Sequence, residues 1–187
     1  MKESAVRNRI LGVASRLFYD QGYNSTGINQ IIAEADIARA SLYHHFPSKT
    51  DLLKAYIQEA DDQWFIGLEA FLEPIHDPRE KLLGIFDYRM GRQQASNFGG
   101  CQFVKVSAEI PREEMELFEM VSHQKQRIQV YIKGLLLQLE PNQEHQLSTD
   151  MLADTLFLLM EGATVTASIY KDPQALKNAK GIAEKLI

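Results

Sequence analysis

Arg39, Ser41, Tyr43 and His44 fall within six residues of one another and combine the side chains that read and hold duplex DNA. A guanidinium donates to guanine O6 and N7, and a serine hydroxyl adapts to either donor or acceptor edges. Tyr43 and His44, with Thr26 and Lys49, offer donors for phosphate oxygens, which fix register without carrying sequence information. Gly27 and Ala40 complete the expected contact set, because small residues let a backbone approach a groove closely. Local charge agrees. The first fifty residues carry six basic against four acidic side chains, whereas the remainder carries an excess of seven acids and brings the net charge to −5. A chain this acidic is a poor general binder of nucleic acid, so any such contact belongs to the N-terminal segment.

Other reactive side chains form no comparable pattern. Glu109, Glu161, His76 and His123 are candidate acids and bases, but none sits in a catalytic motif or beside a nucleophile. Phosphate-binding glycine loops, zinc-ligand spacings and dinucleotide fingerprints do not occur. His44 and His45 point in different directions on a helix and lack a third ligand, so no metal or cofactor is expected and the chain is not expected to be an enzyme. Cys101 is the single cysteine, which excludes an internal disulfide framework. Following two glycines near an expected helix start, its thiol is either acidified and reactive or a small buried hydrophobe.

These residues must be positioned by helices. The chain has 187 residues, 45% apolar and 24% charged, enough for one domain or a small module joined to a larger one. Val6, Ile10, Ala14, Leu17 and Phe18 follow one face of a first helix, and Gly22 suits its left-handed stop. Thr26 precedes a short helix bearing Ile28, Ile31 and Ile32, and a third runs from about Arg39 to His44, ended by Pro47. Two short helices joined by a tight turn describe a helix-turn-helix, with Ile28, Ile31, Ile32, Ala35, Ile37 and Leu42 inside. Ser48 to Asp51 form a capping box that opens a long helix to about Leu72. Asp77-Pro78, a break at Gly99-Gly100, the interruption at Glu140-Pro141-Asn142, Ser148 and Asp172-Pro173 delimit five more helices. The reading is all-α, about nine helices, with no alternating strand pattern.

From Arg9 to Leu53 the chain resembles the DNA-binding domain of TetR-family bacterial transcriptional regulators. The matching residues are Ile10-Leu11, Ala14, Leu17-Phe18, Gly22-Tyr23, Ser25-Thr26, Ile31 and Ala35, closing with Ser41-Leu42-Tyr43-His44-His45-Phe46-Pro47-Ser48-Lys49 and Leu52-Leu53. Two positions depart from the family pattern. Asp36 stands where glycine is usual, and Ala38 where a capping Ser or Thr is common. The resemblance implies a helix-turn-helix head over 1–47, a connecting helix over 48–72 and a ligand-binding and dimerisation bundle over 73–187. It implies a homodimer on a pseudo-palindromic operator, released by a small-molecule effector, with repression the usual mode.

The second half agrees from its own residues. Large adaptable apolar side chains between 64 and 160 suit a ligand cavity, with Trp64, Phe65, Phe86, Arg89, Met90, Phe103, Phe118, Phe157 and Glu161 as the expected lining. The segment Ser148–Tyr170 is apolar nearly all round and rich in small residues, which suits close helix approach. Ile128, Ile132 and Leu135 on one helix and Leu159, Ala163 and Thr166 on the other are the expected interface between two subunits. Asp154 and Glu161 interrupt that segment, so it is read as buried in protein and no membrane is expected. Lacking a visible export signal, the chain is expected to be cytoplasmic. The competing readings are an enzyme and a helical adaptor without DNA binding, against which Arg39, Tyr43 and Lys49 argue.

Overall fold

A computed structural model describes residues 2–139 and 147–187. Helices follow in the order α1 (Lys2–Gln21), α2 (Ile28–Glu34), α3 (Arg39–His45), α4 (Lys49–Leu72), α5 (Pro78–Ala95), α6 (Gln102–Glu109), α7 (Met115–Leu136), α8 (Thr149–Tyr170) and α9 (Gln174–Leu186). No strand occurs among the described residues. The interruption expected at Glu140-Pro141-Asn142 lies outside them.

Local chemistry explains the boundaries. Gly22 ends α1 at φ +95°, where a Cβ would be strained. Ser48 Oγ accepts the Asp51 N–H (3.0 Å) and donates to its carboxylate (2.7 Å), fixing the start of α4. Asp77 accepts the Arg79 N–H with Pro78 just inside α5, and Ser148 accepts the Met151 N–H at the start of α8. Lys171 closes α8 in the left-handed conformation.

Two compact units result, Met1–Gln63 with Gln102–Val121, and Trp64–Cys101 with Ser122–Ile187. The units interleave along the chain: α6 and the first turns of α7 group with α1–α3, and α4 is divided between the two. The reason is long-range. Lys105 donates to the Tyr19 carbonyl, and Glu109 accepts the Asn24 N–H (2.6 Å) while its carbonyl accepts the Asn24 amide (3.2 Å).

In the first unit α1 packs on α2 and α3, and α2 on α3, around Ile10, Phe18, Ile31 and Leu42, all buried. The second unit packs α8 on α9 and α5, and α5 on α9, around Leu68, Ile85, Ile132, Leu156 and Met160. α8 has the length and apolarity to cross a membrane, but it is a packed element of this core, and its Glu161 is ion-paired to α5 and α7.

Candidate functional site

α2 and α3 are each only seven residues long, too short to persist alone, so their geometry depends on tertiary packing. The turn between them is made by Asp36 at φ +49°, a conformation that Asp tolerates better than most residues. Its carbonyl accepts a hydrogen bond from Arg9 (3.3 Å), and the Ile37 N–H reaches the Ile32 carbonyl (3.3 Å). Ile31, Ala35 and Leu42 are buried inside the pair, while Ile28, Ile32 and Ile37 are half-buried. Gly27 and Ala38 hold the N-cap positions of the two helices in extended conformation, both without a side-chain cap.

α3 therefore turns Leu42 inward and leaves Arg39, Ala40, Tyr43 and His44 exposed, with Ser41 half-buried beside them. Arg39 is oriented from two sides: its Nη1 donates to Asn29 Oδ1 on α2 (3.1 Å), and its guanidinium lies 5.7 Å from the Tyr43 ring centroid. Asn29 is thus an exposed neighbour of this α3 face that sequence inspection missed; only its place in the first turn of α2 hinted at it. Arg39, Ala40, Ser41, Tyr43 and His44 share one short helix, and Gly27 is exposed at the head of the other.

Two expected phosphate contacts are placed otherwise. Thr26 is 1% exposed, its hydroxyl donating to the Gly22 carbonyl (2.7 Å) and accepting from Gln21 (3.2 Å), so it builds the α1–α2 connection instead of facing outward. Lys49 is half-buried, donates to the Tyr23 carbonyl (2.6 Å) and sits 4.2 Å from the Tyr23 ring centroid. Burial pushes its ammonium pKa down, and the Glu109 carboxylate pulls it partly back. Both residues shape the connection that carries α2.

In the second unit, some of the expected pocket residues come together. Glu161 on α8 pairs with Arg89 on α5 (3.3 Å) and Lys125 on α7, and Lys125 also donates to Cys101 Sγ (3.3 Å). The Arg89 guanidinium lies 5.3 Å from the Trp64 ring centroid, and Phe65 packs edge-on against Trp64 at 4.8 Å. The other expected residues do not join this group. Phe86 and Met90 line a groove of about 340 Å³ between α5 and α9. Phe157 is half-buried against the core of the second unit, and Phe103 and Phe118 belong to the first unit. Cys101 is buried, and Gln93 clamps the Gly99-Gly100 turn before it through both Gly100 N–H (3.1 Å) and carbonyl (3.2 Å).

Comparison with known proteins gives this geometry a family. A family profile described as "Bacterial regulatory proteins, tetR family" matches residues 10–56, which span α1 to the first turns of α4. A solved structure of SCO4454, a TetR-family transcriptional regulator from Streptomyces coelicolor, superposes with a TM-score of 0.85 at 28% identity, covering 98% of this chain and 96% of that one. The head of this chain, residues 10–56, is a TetR-family DNA-binding head by its profile match, and the full chain shares the fold of that regulator. Two relatives from Mycolicibacterium smegmatis match part of this chain at 34% identity. They are the transcriptional repressor KstR2, with 43% of this chain and 39% of that protein covered, and the transcriptional activator FasR, with 41% and 35% covered. The matched segment spans less than two fifths of the length of either relative.

The unpartnered face of the second unit differs from the interface expected from sequence. Ile128, Ile132, Leu135 and Ala163 are buried in this chain's own core, with Leu159 and Thr166 half-buried. The free apolar side chains are Val130 (70% exposed) and Leu137 on α7 with Leu158 (65%), Met151, Val165 and Ile169 on α8. Polar ties hold α7 and α8 antiparallel: Lys125–Glu161, Gln129–Asp154 (3.2 Å) and Lys133–Asp150.

Proposed function

We propose that this chain is a cytoplasmic DNA-binding transcriptional regulator that grips a pseudo-palindromic operator as a homodimer and is released by a small-molecule effector. The observation that carries this reading is the exposed face of α3, where Arg39 is aimed by Asn29 and Tyr43 beside Ala40, Ser41 and His44. In a helix-turn-helix the second helix enters the major groove, and its first residues meet base edges. Arg39, at the first position of α3, is the base-reading residue of this proposal, and Tyr43, His44 and Asn29 hold the backbone. Repression is the proposed sign, that of the relative KstR2, whereas the relative FasR is an activator.

The exposed stripe of Val130, Leu137, Leu158, Val165 and Ile169 supports the homodimer, because a second copy of α7 and α8 completes a four-helix interface. The Arg89–Glu161–Lys125 group beside Trp64 supports an effector site in the second unit. Release then follows as a population shift: an effector that binds better to a conformation with mis-spaced heads lowers operator affinity.

A gel shift against the DNA upstream of the chain's own gene tests the reading. The wild type is expected to bind with affinity that falls steeply with salt, and Arg39→Ala to lose discrimination worth about 1–3 kcal/mol between that fragment and random DNA. No shift at low ionic strength, or an Arg39→Ala variant as selective as wild type, contradicts it.

A further inference from the structure

We propose that the groove between α4 and α7 binds an organic cation, an arylalkyl ammonium or guanidinium, and that the Arg127 guanidinium is the chain's own occupant of that site. The site is additional to the effector reading above and does not involve the Arg89–Glu161–Lys125 group.

A cavity of about 380 Å³ is lined by Phe65 and Glu69 from α4 and by His123, Gln126, Arg127, Val130 and Tyr131 from α7, all within the second unit. That volume is in the range of small-ligand pockets. Phe65 and Glu69 are four residues apart and share a face of α4; His123, Arg127 and Tyr131, each four residues from the next, share a face of α7. Arg127 lies over the Phe65 ring, its guanidinium carbon 3.9 Å from the centroid, and the Tyr131 ring stands edge-on to Phe65 at 6.4 Å. The charge of Glu69 is felt in the groove: burial pushes the Tyr131 hydroxyl pKa up, and the Glu69 carboxylate pushes it further.

The occupant reveals the class of ligand. An aromatic face is the negative part of the ring quadrupole, so a cation over Phe65 is attracted by the ring and by Glu69 one turn away. An anion drawn to Arg127 would meet both of these as repulsion. With histidine counted neutral, Arg127 is the single cation among the lining side chains and Glu69 the single anion. A ligand that displaces Arg127 from the ring must therefore bring the positive charge itself. Asp61, one turn before Phe65 on the same helix, is a buried carboxylate with an interaction of its own, and it adds to the negative side of α4. Arg127 keeps an interaction besides the ring, so a ligand that takes its place there does not strip the guanidinium of every partner. Val130 forms an apolar rim that belongs to the stripe proposed to face a second copy, so binding is to be measured on the full-length protein in its own association state.

Removing the occupant opens the site, which gives the test its sign. The full-length protein is titrated at pH 8 with benzyltrimethylammonium and benzylguanidinium, with benzyl alcohol as the neutral control and phenylacetate as the anionic one. Calorimetry is the readout, together with emission of Trp64, the only tryptophan, which packs edge-on against Phe65 at 4.8 Å. The expected result is saturable binding of at least one cation, with benzyl alcohol and phenylacetate at least about tenfold weaker. Arg127→Gln is expected to tighten that cation by about threefold or more, because no guanidinium competes for the ring face, whereas loss of a merely structural arginine would not tighten it. Glu69→Gln, at an exposed side chain, is expected to weaken it by about threefold or more, and it decides the matter if Arg127→Gln does not fold. No saturable binding of either cation up to about 1 mM by wild type or Arg127→Gln, or phenylacetate binding as tightly as the cations, overturns the proposal. So does a cation affinity that is unchanged or weakened in folded Arg127→Gln, or unchanged in Glu69→Gln. Ligand binding alone is read, so the result stands apart from the operator reading.

Discussion

Gly22 sits where three constraints meet. Its φ is +95°, a Cβ there would fall 2.5 Å from Glu109 Oε1, and the same Glu109 carboxylate accepts the Asn24 N–H. A methyl group must either displace Glu109 from Asn24 or strain the backbone in a region where L-residues pay about 1–2 kcal/mol. Gly22→Ala is therefore expected to destabilise the protein by about 1–3 kcal/mol, seen as a lower melting temperature, and a melt identical to wild type contradicts this account of the α1–α2 connection. Each donor left unbonded at Trp64, Arg89 and Gln124 costs about 1–3 kcal/mol. The burial of Gln124 was not legible in sequence, because a glutamine on an amphipathic helix ordinarily reads as solvated.

At the scale of elements, α3 is held by packing and not by its own ends. Ala38 occupies its N-cap at φ −72° and ψ 147°, the backbone a capping serine requires, yet offers no side-chain acceptor. Ala38→Ser is expected to stabilise α3 by about 0.5–2 kcal/mol, measured as slower amide exchange at Leu42 and Tyr43, and unchanged protection contradicts it. Helix limits were legible in sequence wherever a cap or a breaker fixed them, as at Gly22, Ser48, Asp77-Pro78 and Ser148. The helix-turn-helix was legible as well, since its apolar residues and Asp36 lie within twenty residues of one another. The register of α7 was not. Both Ile128-Ile132-Leu135 and Val130-Leu137 are apolar stripes at helical spacing, and only packing against α4, α5 and α8 decides that the first is core. Nor was the grip of Glu109 on Asn24, since a contact 85 residues apart in sequence leaves no local pattern.

In the proposed whole molecule, two subunits present two copies of α3 to one duplex. The free stripe on α7 and α8 is the proposed dimer surface, so Leu158→Glu, which places a charge at a side chain 65% exposed in the single chain, is expected to yield monomers. Operator binding is expected to fail with it, because one head alone gives up half the groove contacts. The most direct test is a DNA footprint of the wild type and of Leu158→Glu on the chain's own upstream fragment, with the association state of each measured by sedimentation. The account predicts that a wild-type dimer protects two patches related by a two-fold axis, with centres about one duplex turn (34 Å) or a small multiple apart, and that monomeric Leu158→Glu protects neither. A wild-type monomer protecting one unsymmetrical patch, or protection undiminished in Leu158→Glu, contradicts it.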